Sequence, residues 1–268
     1  LSAGKGKGGT LRNAGRFLAL LVVCGIALQL YFLLRVALMI VVDPQSTTFQ
    51  RSEILRLAVE QHQVLWAQEW RPYAQTSDQI KRAVIASEDA GFPEHSGVEW
   101  EALEKAWERN QRAAARAQKI NERLEQRVAR AEARGKPAPA IKLAQAKIVG
   151  GSTITQQLAK NLFLSGERSA LRKGQEFVIT FMLEGLLSKQ RILEIYLNNV
   201  EWGEGVFGVQ AASRYYFHVD ADRLGSWQAA RLAVMLPAPK RFEKRPSSAY
   251  ITSHAATVAA RMGAVSLP

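Results

Sequence analysis

The feature that most constrains this chain is the stretch from Phe17 to Val42, FLALLVVCGIALQLYFLLRVALMIVV, an apolar run interrupted by strongly polar side chains only at Gln29 and Arg35. About 20 such residues in a helix cross a hydrocarbon core of about 30 Å with every backbone polar group satisfied internally. The run predicts one membrane-spanning helix over 17–42, with Arg35 near enough to one end to reach the headgroups. A buried globular helix and a cleaved signal peptide are the alternatives. The run is too long and apolar for the first; it also exceeds a usual signal core and no convincing small-x-small cleavage site follows it. Lys5, Lys7, Arg12 and Arg16 precede it without an acidic residue, whereas Asp43, Arg51, Glu53 and Arg56 follow in near balance. The positive-inside bias predicts a cytoplasmic basic tail over 1–16 and a domain over 43–268 on the outer face.

Roughly 220 residues are left outside the membrane, enough for one core or two closely packed lobes. The net charge of +12 predicts a surface that seeks phosphate, as nucleic acid, anionic lipid or a phosphorylated substrate. An outer-face location argues against nucleic acid. The only cysteine, Cys24, lies in the apolar run, so the outer part can form no disulfide and no thiolate metal cluster. His62, His95, His218 and His254 are too scattered for a zinc motif.

Helical spacing dominates the rest, and the expected class is mainly α. Ile54, Leu57, Ala58, His62 and Leu65 predict a helix from Ser52, its N-cap, to about Trp70; Trp66 and Trp70 line the interior or face the membrane interface, and their four-residue spacing favours the interior. A second helix is expected over 77–89, stopped by the turn at Gly91-Phe92-Pro93. Residues 100 to 135 are alanine-rich, mixed in charge and nearly free of breakers, which predicts a solvated helical hairpin or lid ended by Gly135–Pro139. Farther on, Leu171, Phe177, Val178, Phe181, Met182 and Leu186 predict the core face of a helix, and another apolar helix from Trp227 to Leu236 stops at Pro237. Neither a GxGxxG turn after a strand nor a Walker lysine loop occurs, so nucleotide-binding folds find no support.

Four clusters set polar residues against apolar helices where a plain surface needs none. They are Glu88-Asp89 with Phe92 and His95; GGSTITQQLAKN from Gly150 to Asn161; RKGQE from Arg172 to Glu176; and KQRILEIYLNNVEWGEGVFG from Lys189 to Gly208. Gln157 and Lys160 share a helix face if the second cluster is helical, and so do Arg172 and Glu176, four apart, as a salt bridge. Carboxylates can activate a hydroxyl, lysine suits diphosphate as a mobile point charge, and arginine suits bidentate oxygen recognition.

With these motifs the chain resembles the peptidoglycan glycosyltransferases, specifically the monofunctional, membrane-anchored biosynthetic transglycosylases, over roughly residues 75 to 245. ED-x-x-F-x-x-H-x-G is matched by Glu88, Asp89, Phe92, His95 and Gly97, and G-x-S-T-x-T-Q-Q-x-x-K-N runs from Gly150 to Asn161. R-K-x-x-E is Arg172, Lys173 and Glu176, and ILE-x-YLN is Ile192 to Asn198. The resemblance implies a lysozyme-like helical lobe with a smaller membrane-proximal jaw, and polymerisation of lipid II into β-1,4-linked strands with release of undecaprenyl diphosphate. It implies Glu88 as general base and Glu176 as a second catalytic carboxylate that organises the diphosphate region and a divalent metal ion, Mg2+ or Mn2+. Asp89, Phe92, His95, Ser152, Thr155, Gln156, Gln157, Lys160, Asn161, Arg172, Lys173 and Asn198 are by the same resemblance the substrate- and diphosphate-binding set. The implied partners are lipid II, the growing glycan strand and membrane lipid, with penicillin-binding transpeptidases and cell-division proteins beside them, in a bacterial inner membrane.

Two departures from the family pattern stand out. The charged helical insertion, about 100–140, lengthens the spacing between the first two motifs, and Glu99 stands where the family commonly has aspartate. No serine-lysine and KTG transpeptidase set occurs, so cross-linking is expected from another protein. A lytic, lysozyme-like hydrolase would explain Glu88 but leave Lys160, Arg172 and Lys173 without a leaving group. A degenerate scaffold would not need Glu88 and Glu176 intact.

Overall fold

The structure, a computed structural model, describes residues 7–134, 140–146, 150–164, 166–167 and 169–268. It is mainly α. The first helix, α1 (Lys7–Leu38), contains a stretch, Arg12–Leu38, long and apolar enough to span a membrane. Met39 to Val42 continue it only as hydrogen-bonded turns. Arg191 holds that end: its guanidinium donates to the carbonyls of Met39 (2.9 Å) and Val42 (3.3 Å) and to the carboxylate of Asp43 (2.7 Å).

Helix α2 (Thr48–Glu60) begins at a capping box in which the Thr47 hydroxyl accepts from the Gln50 amide while the Gln50 side chain accepts from the Thr47 amide. The expected helix from Ser52 to Trp70 is therefore corrected at both ends. Apolar periodicity does not hold Gln61 to Trp70 in a helix, because the chain is claimed by a hairpin: Ala67 donates to Gly205 (2.8 Å) and accepts from Phe207 (2.9 Å). His62 turns the backbone there with φ 53°. Trp66 is not interior; it stays largely exposed against the Phe207 ring, and Trp70 is half-buried beside Arg191.

Next come α3 (Asp78–Glu88), capped by Ser77, and then α5 (Ile154–Phe163), α6 (Ala170–Leu186) and α7 (Lys189–Asn199). A short antiparallel hairpin, β1 (Glu201–Gly203) and β2 (Val206–Phe207), leads to α8 (Val209–Phe217), α9 (Ser226–Met235), α10 (Pro239–Phe242) and α11 (Ala249–Met262). Helix α3 packs on α9 and α11, where Ala229, Ala230, Ala233 and Ala255 permit close approach. On the other side α5 packs on α6 and α7. One continuous core joins Ile80, Val84, Leu158, Ile179, Leu183, Ile195 and Leu232.

The face predicted for α6 is also corrected. Its buried residues are Glu176, Ile179, Thr180, Leu183 and Leu187, while Leu171, Val178, Phe181 and Leu186 are exposed. The helix packs against α1, and Gln29, the polar break in the apolar run, exchanges reciprocal hydrogen bonds with Gln175 at 2.7 and 3.0 Å. An apolar face beside a membrane helix does not need protein to cover it.

Residues Val98–Thr153 form a separate compact unit. Its α4 (Trp100–Glu132) is one continuous helix and not a hairpin. Residues 140–146 have no regular secondary structure, and the Asn121 amide holds the Ala144 backbone through both N–H (2.7 Å) and C=O (3.1 Å). The expected stop over 135–139 lies outside the described residues.

Candidate active site

Glu88 is the last residue of α3, and Asp89 follows as its C-cap. The turn beyond buries Phe92 completely. Asp89 is spent on architecture: one oxygen accepts from His95 Nε2 (2.8 Å), the other from the Ile154 amide (2.9 Å) at the start of α5. Gly97 donates its amide to His95 Nδ1 (3.0 Å), so Nδ1 is the acceptor and Nε2 the donor to Asp89. Gly97 itself has φ +86°, and a Cβ there would fall 2.7 Å from Glu184 Cγ and 2.8 Å from Thr180 Cγ2. Only glycine brings this turn against α6.

The Glu88 carboxylate is half-buried and accepts from Gln157 Nε2 at 3.0 Å. Burial raises its pKa above the usual carboxylate range, Asp89 adds to the rise, and the hydrogen bonds from Gln157 and Ser87 oppose it. Standing at the negative end of α3 acts in the same upward direction. The carboxylate is thus more readily protonated than an exposed glutamate.

Helix α5 carries the next set. Thr155 donates to Glu184 Oε1 (2.5 Å), which also accepts from Lys189 Nζ (2.8 Å); Lys189 lies 4.6 Å from the centre of the Phe92 ring. Gln157 Oε1 accepts from the Tyr196 hydroxyl at 2.9 Å. One turn on is Lys160, which reaches solvent; desolvation by neighbouring protein lowers its pKa, Glu176 opposes that, and Arg172 and Lys173 reinforce it. Gln156 is buried in α5 and Asn161 is half-buried near its end.

Glu176, on α6, is 3% exposed and accepts from Arg172 (3.0 Å) and from Lys173. The Arg172 Nε is buried without a hydrogen-bond partner, an orphan donor of the kind an anion would satisfy. Lys160, Arg172 and Lys173 therefore form a cationic group around one buried carboxylate. Both Glu176 oxygens are engaged by cations, and among the described residues no three His, Cys, Asp or Glu side chains converge. The donor set at Glu176 does not fit a protein-held divalent ion.

Asn198 is buried in α7 and uses its amide on backbone: it accepts from Arg71 N (2.7 Å) and donates to Arg71 O (2.8 Å) and Glu194 O (2.9 Å). Ser152 belongs to the unit Val98–Thr153. Sequence reasoning missed Glu184. Its signal was its place two turns after Glu176 on the stripe of α6 that also holds Thr180 and Leu183, where a charged side chain needs partners. Tyr196, inside the ILE-x-YLN motif, is fully buried, and its hydroxyl adds a polar role.

A profile of the family described as Transglycosylase matches residues 57–121 and 137–263. A biosynthetic peptidoglycan transglycosylase of Burkholderia thailandensis is 48% identical over 243 residues, covering 91% of this chain and 83% of the relative. The protein of that name from Burkholderia orbicola is 46% identical over 243 residues, covering 91% and 86%. With the mainly α fold, the anchor helix and the Glu88 site, these matches show that the chain belongs to the transglycosylase family, as a glycosyltransferase of the biosynthetic peptidoglycan type.

Proposed function

We propose that this enzyme polymerises lipid II into β-1,4-linked glycan strands, with inversion at the anomeric carbon and release of undecaprenyl diphosphate. The observation that carries the reading is the face of α5: Gln157 holds Glu88, and one turn away, about 4.5 Å along the axis, Lys160 stands with Arg172, Lys173 and Glu176. A base and an anion site on one helix face suit a reaction that deprotonates at one end and releases diphosphate at the other.

In this mechanism Glu88 takes the proton of the acceptor 4-hydroxyl as its oxygen attacks the anomeric carbon. The bond from that carbon to the diphosphate oxygen breaks, and the leaving charge is received by Lys160, Arg172 and Lys173. An α-linked donor attacked directly yields a β linkage without an enzyme-bound sugar, so a second nucleophilic carboxylate is not required. Glu176 orders Arg172 and Lys173 and keeps them from repelling one another. A divalent ion, Mg2+ or Mn2+, enters this proposal only with the substrate, on its diphosphate oxygens. Lys5, Lys7, Arg12 and Arg16, which precede the apolar run, favour a cytoplasmic N-terminus and an outer-face domain in the bacterial inner membrane. Transpeptidases of the penicillin-binding type and cell-division proteins are the partners this activity calls for.

The competing reading is hydrolysis of mature glycan. Incubating the purified chain in bilayers with labelled lipid II, and separately with mature wall, decides between them. Polymerisation predicts lengthening glycan products from the first; fragments from the second with no polymer from the first would overturn the proposal.

A further inference from the structure

We propose that Tyr196 is a positioning residue for this reaction, its hydroxyl fixing the Gln157 amide so that the NH2 end faces Glu88. The inference rests on Glu88 being the general base. The two ends of a glutamine amide are nearly the same size, so shape alone does not choose between them. With NH2 toward Glu88, the carboxylate receives a hydrogen bond and its charged form is favoured. With the amide reversed, oxygen would face oxygen, and the contact would be favourable only once Glu88 held a proton.

The buried environment of Tyr196 makes that choice. Its side chain is 1% exposed, and among the described residues its hydroxyl has one hydrogen-bond partner, Gln157 Oε1, at 2.9 Å. A phenolic hydrogen left without an acceptor in the core is costly. The hydroxyl therefore holds the amide oxygen toward α7, which turns Nε2 to Glu88 at 3.0 Å. The relay runs through three elements, α7, α5 and the end of α3, and spans residues from two of the sequence clusters beyond the first. Tyr196 stands on α7 among the buried aliphatics Ile192, Leu193, Ile195 and Leu197.

Other charged groups around Glu88 do not duplicate this control. Asp89 is held by His95 and the Ile154 amide. On α5 Lys160 belongs with Glu176, Arg172 and Lys173, and on α6 Glu184 takes Thr155 and Lys189. On α9 Arg231 turns to the Pro246 carbonyl, and on α11 His254 stacks on Tyr250 while Arg261 is exposed. Gln157 and Ser87 are the hydrogen-bond donors that favour the charged form of Glu88.

The sign of the effect follows. Losing the Gln157 donor raises the Glu88 pKa, and a base with a raised pKa is active only at higher pH. The test is the pH dependence of lipid II polymerisation for the wild type, Tyr196→Phe, Gln157→Ala, the double variant and Glu88→Gln. Tyr196→Phe is expected to move the acidic limb of kcat up by roughly 0.5–1 pH unit, the scale of one hydrogen bond, with KM unchanged and the rate recovering at high pH. On the Gln157→Ala background the same change is expected to move the limb no further, a comparison that holds even where Tyr196→Phe lowers stability. An inactive Glu88→Gln beside a Tyr196→Phe limb that stays at the wild-type pH, or a loss uniform across pH, would refute the relay and leave the base in place. An active Glu88→Gln would remove both.

Discussion

Glu88, Glu176 and Glu201 differ in what surrounds their carboxylates, and the difference decides which can move a proton. Glu88 is raised by burial yet keeps a donor in Gln157. Glu176 is buried more deeply but has two cations on it, which suits charge organisation and not proton transfer. Glu201, in β1, is buried with Lys240 only at 3.8 Å, and burial pushes its pKa from 4.5 up to about 7, with Glu53 and Glu243 also raising it and Lys240 opposing. The folded chain thus holds a proton on Glu201 where the unfolded chain has lost it. This group makes no difference to stability well below pH 4.5, destabilises progressively as pH rises to about 7, and then stays at its full penalty. Replacing Glu201 by Gln is expected to leave stability near pH 4 unchanged and to raise it at pH 8 by about 2–3 kcal/mol. Denaturant unfolding at the two pH values checks this; an equal change at both would show that Glu201 is not the titrating group.

Among the elements, those whose pattern and caps agree were legible from the amino acids alone. Ser77 and the Gly91-Phe92-Pro93 turn bound α3, and Pro237 follows α9 closely. The rest failed where a distant partner outweighed local pattern. Helical spacing through Leu65 could not reveal that Ala67 would bridge to Gly205 and Phe207. On α6, exposed and core side chains are the same residue types, so the stripe of Leu171, Val178 and Phe181 was taken for the interior. Glu88, proposed as the base, and the cations Lys160, Arg172 and Lys173 were picked out by their motifs; Glu184 and the Tyr196 hydroxyl were not, because their partners come from other helices. The exposed α6 stripe carries its own prediction. With Cys24→Ser removing the only native thiol, a fluorophore on Phe181→Cys should be quenched by nitroxide lipids in bilayers. Absence of quenching would mean that this face meets water.

At the scale of the whole molecule, the anchor helix is fastened to the domain. Arg191 closes its C-terminal end and Gln29 pairs with Gln175, the residue next to Glu176. Hydrogen bonds of the Gln29 kind contribute about 1 kcal/mol in membranes, a modest energy with a clear geometric consequence. In the proposed mechanism this keeps the Glu176 region beside the bilayer in which a lipid-linked donor would move. The net charge of +12 has two uses in this account: part of it serves the leaving diphosphate, and part draws the domain to anionic headgroups. The family profile matches α4 up to residue 121 and leaves out residues 122–136, so only that part of the charged segment lies outside the family match. The proposed mechanism turns on Glu88. The most direct measurement is the rate of lipid II polymerisation in bilayers by the Glu88→Gln protein, with its fold verified by circular dichroism. The account predicts a loss of roughly 10²–10⁴-fold with lipid II still bound, and turnover at the wild-type rate would contradict it.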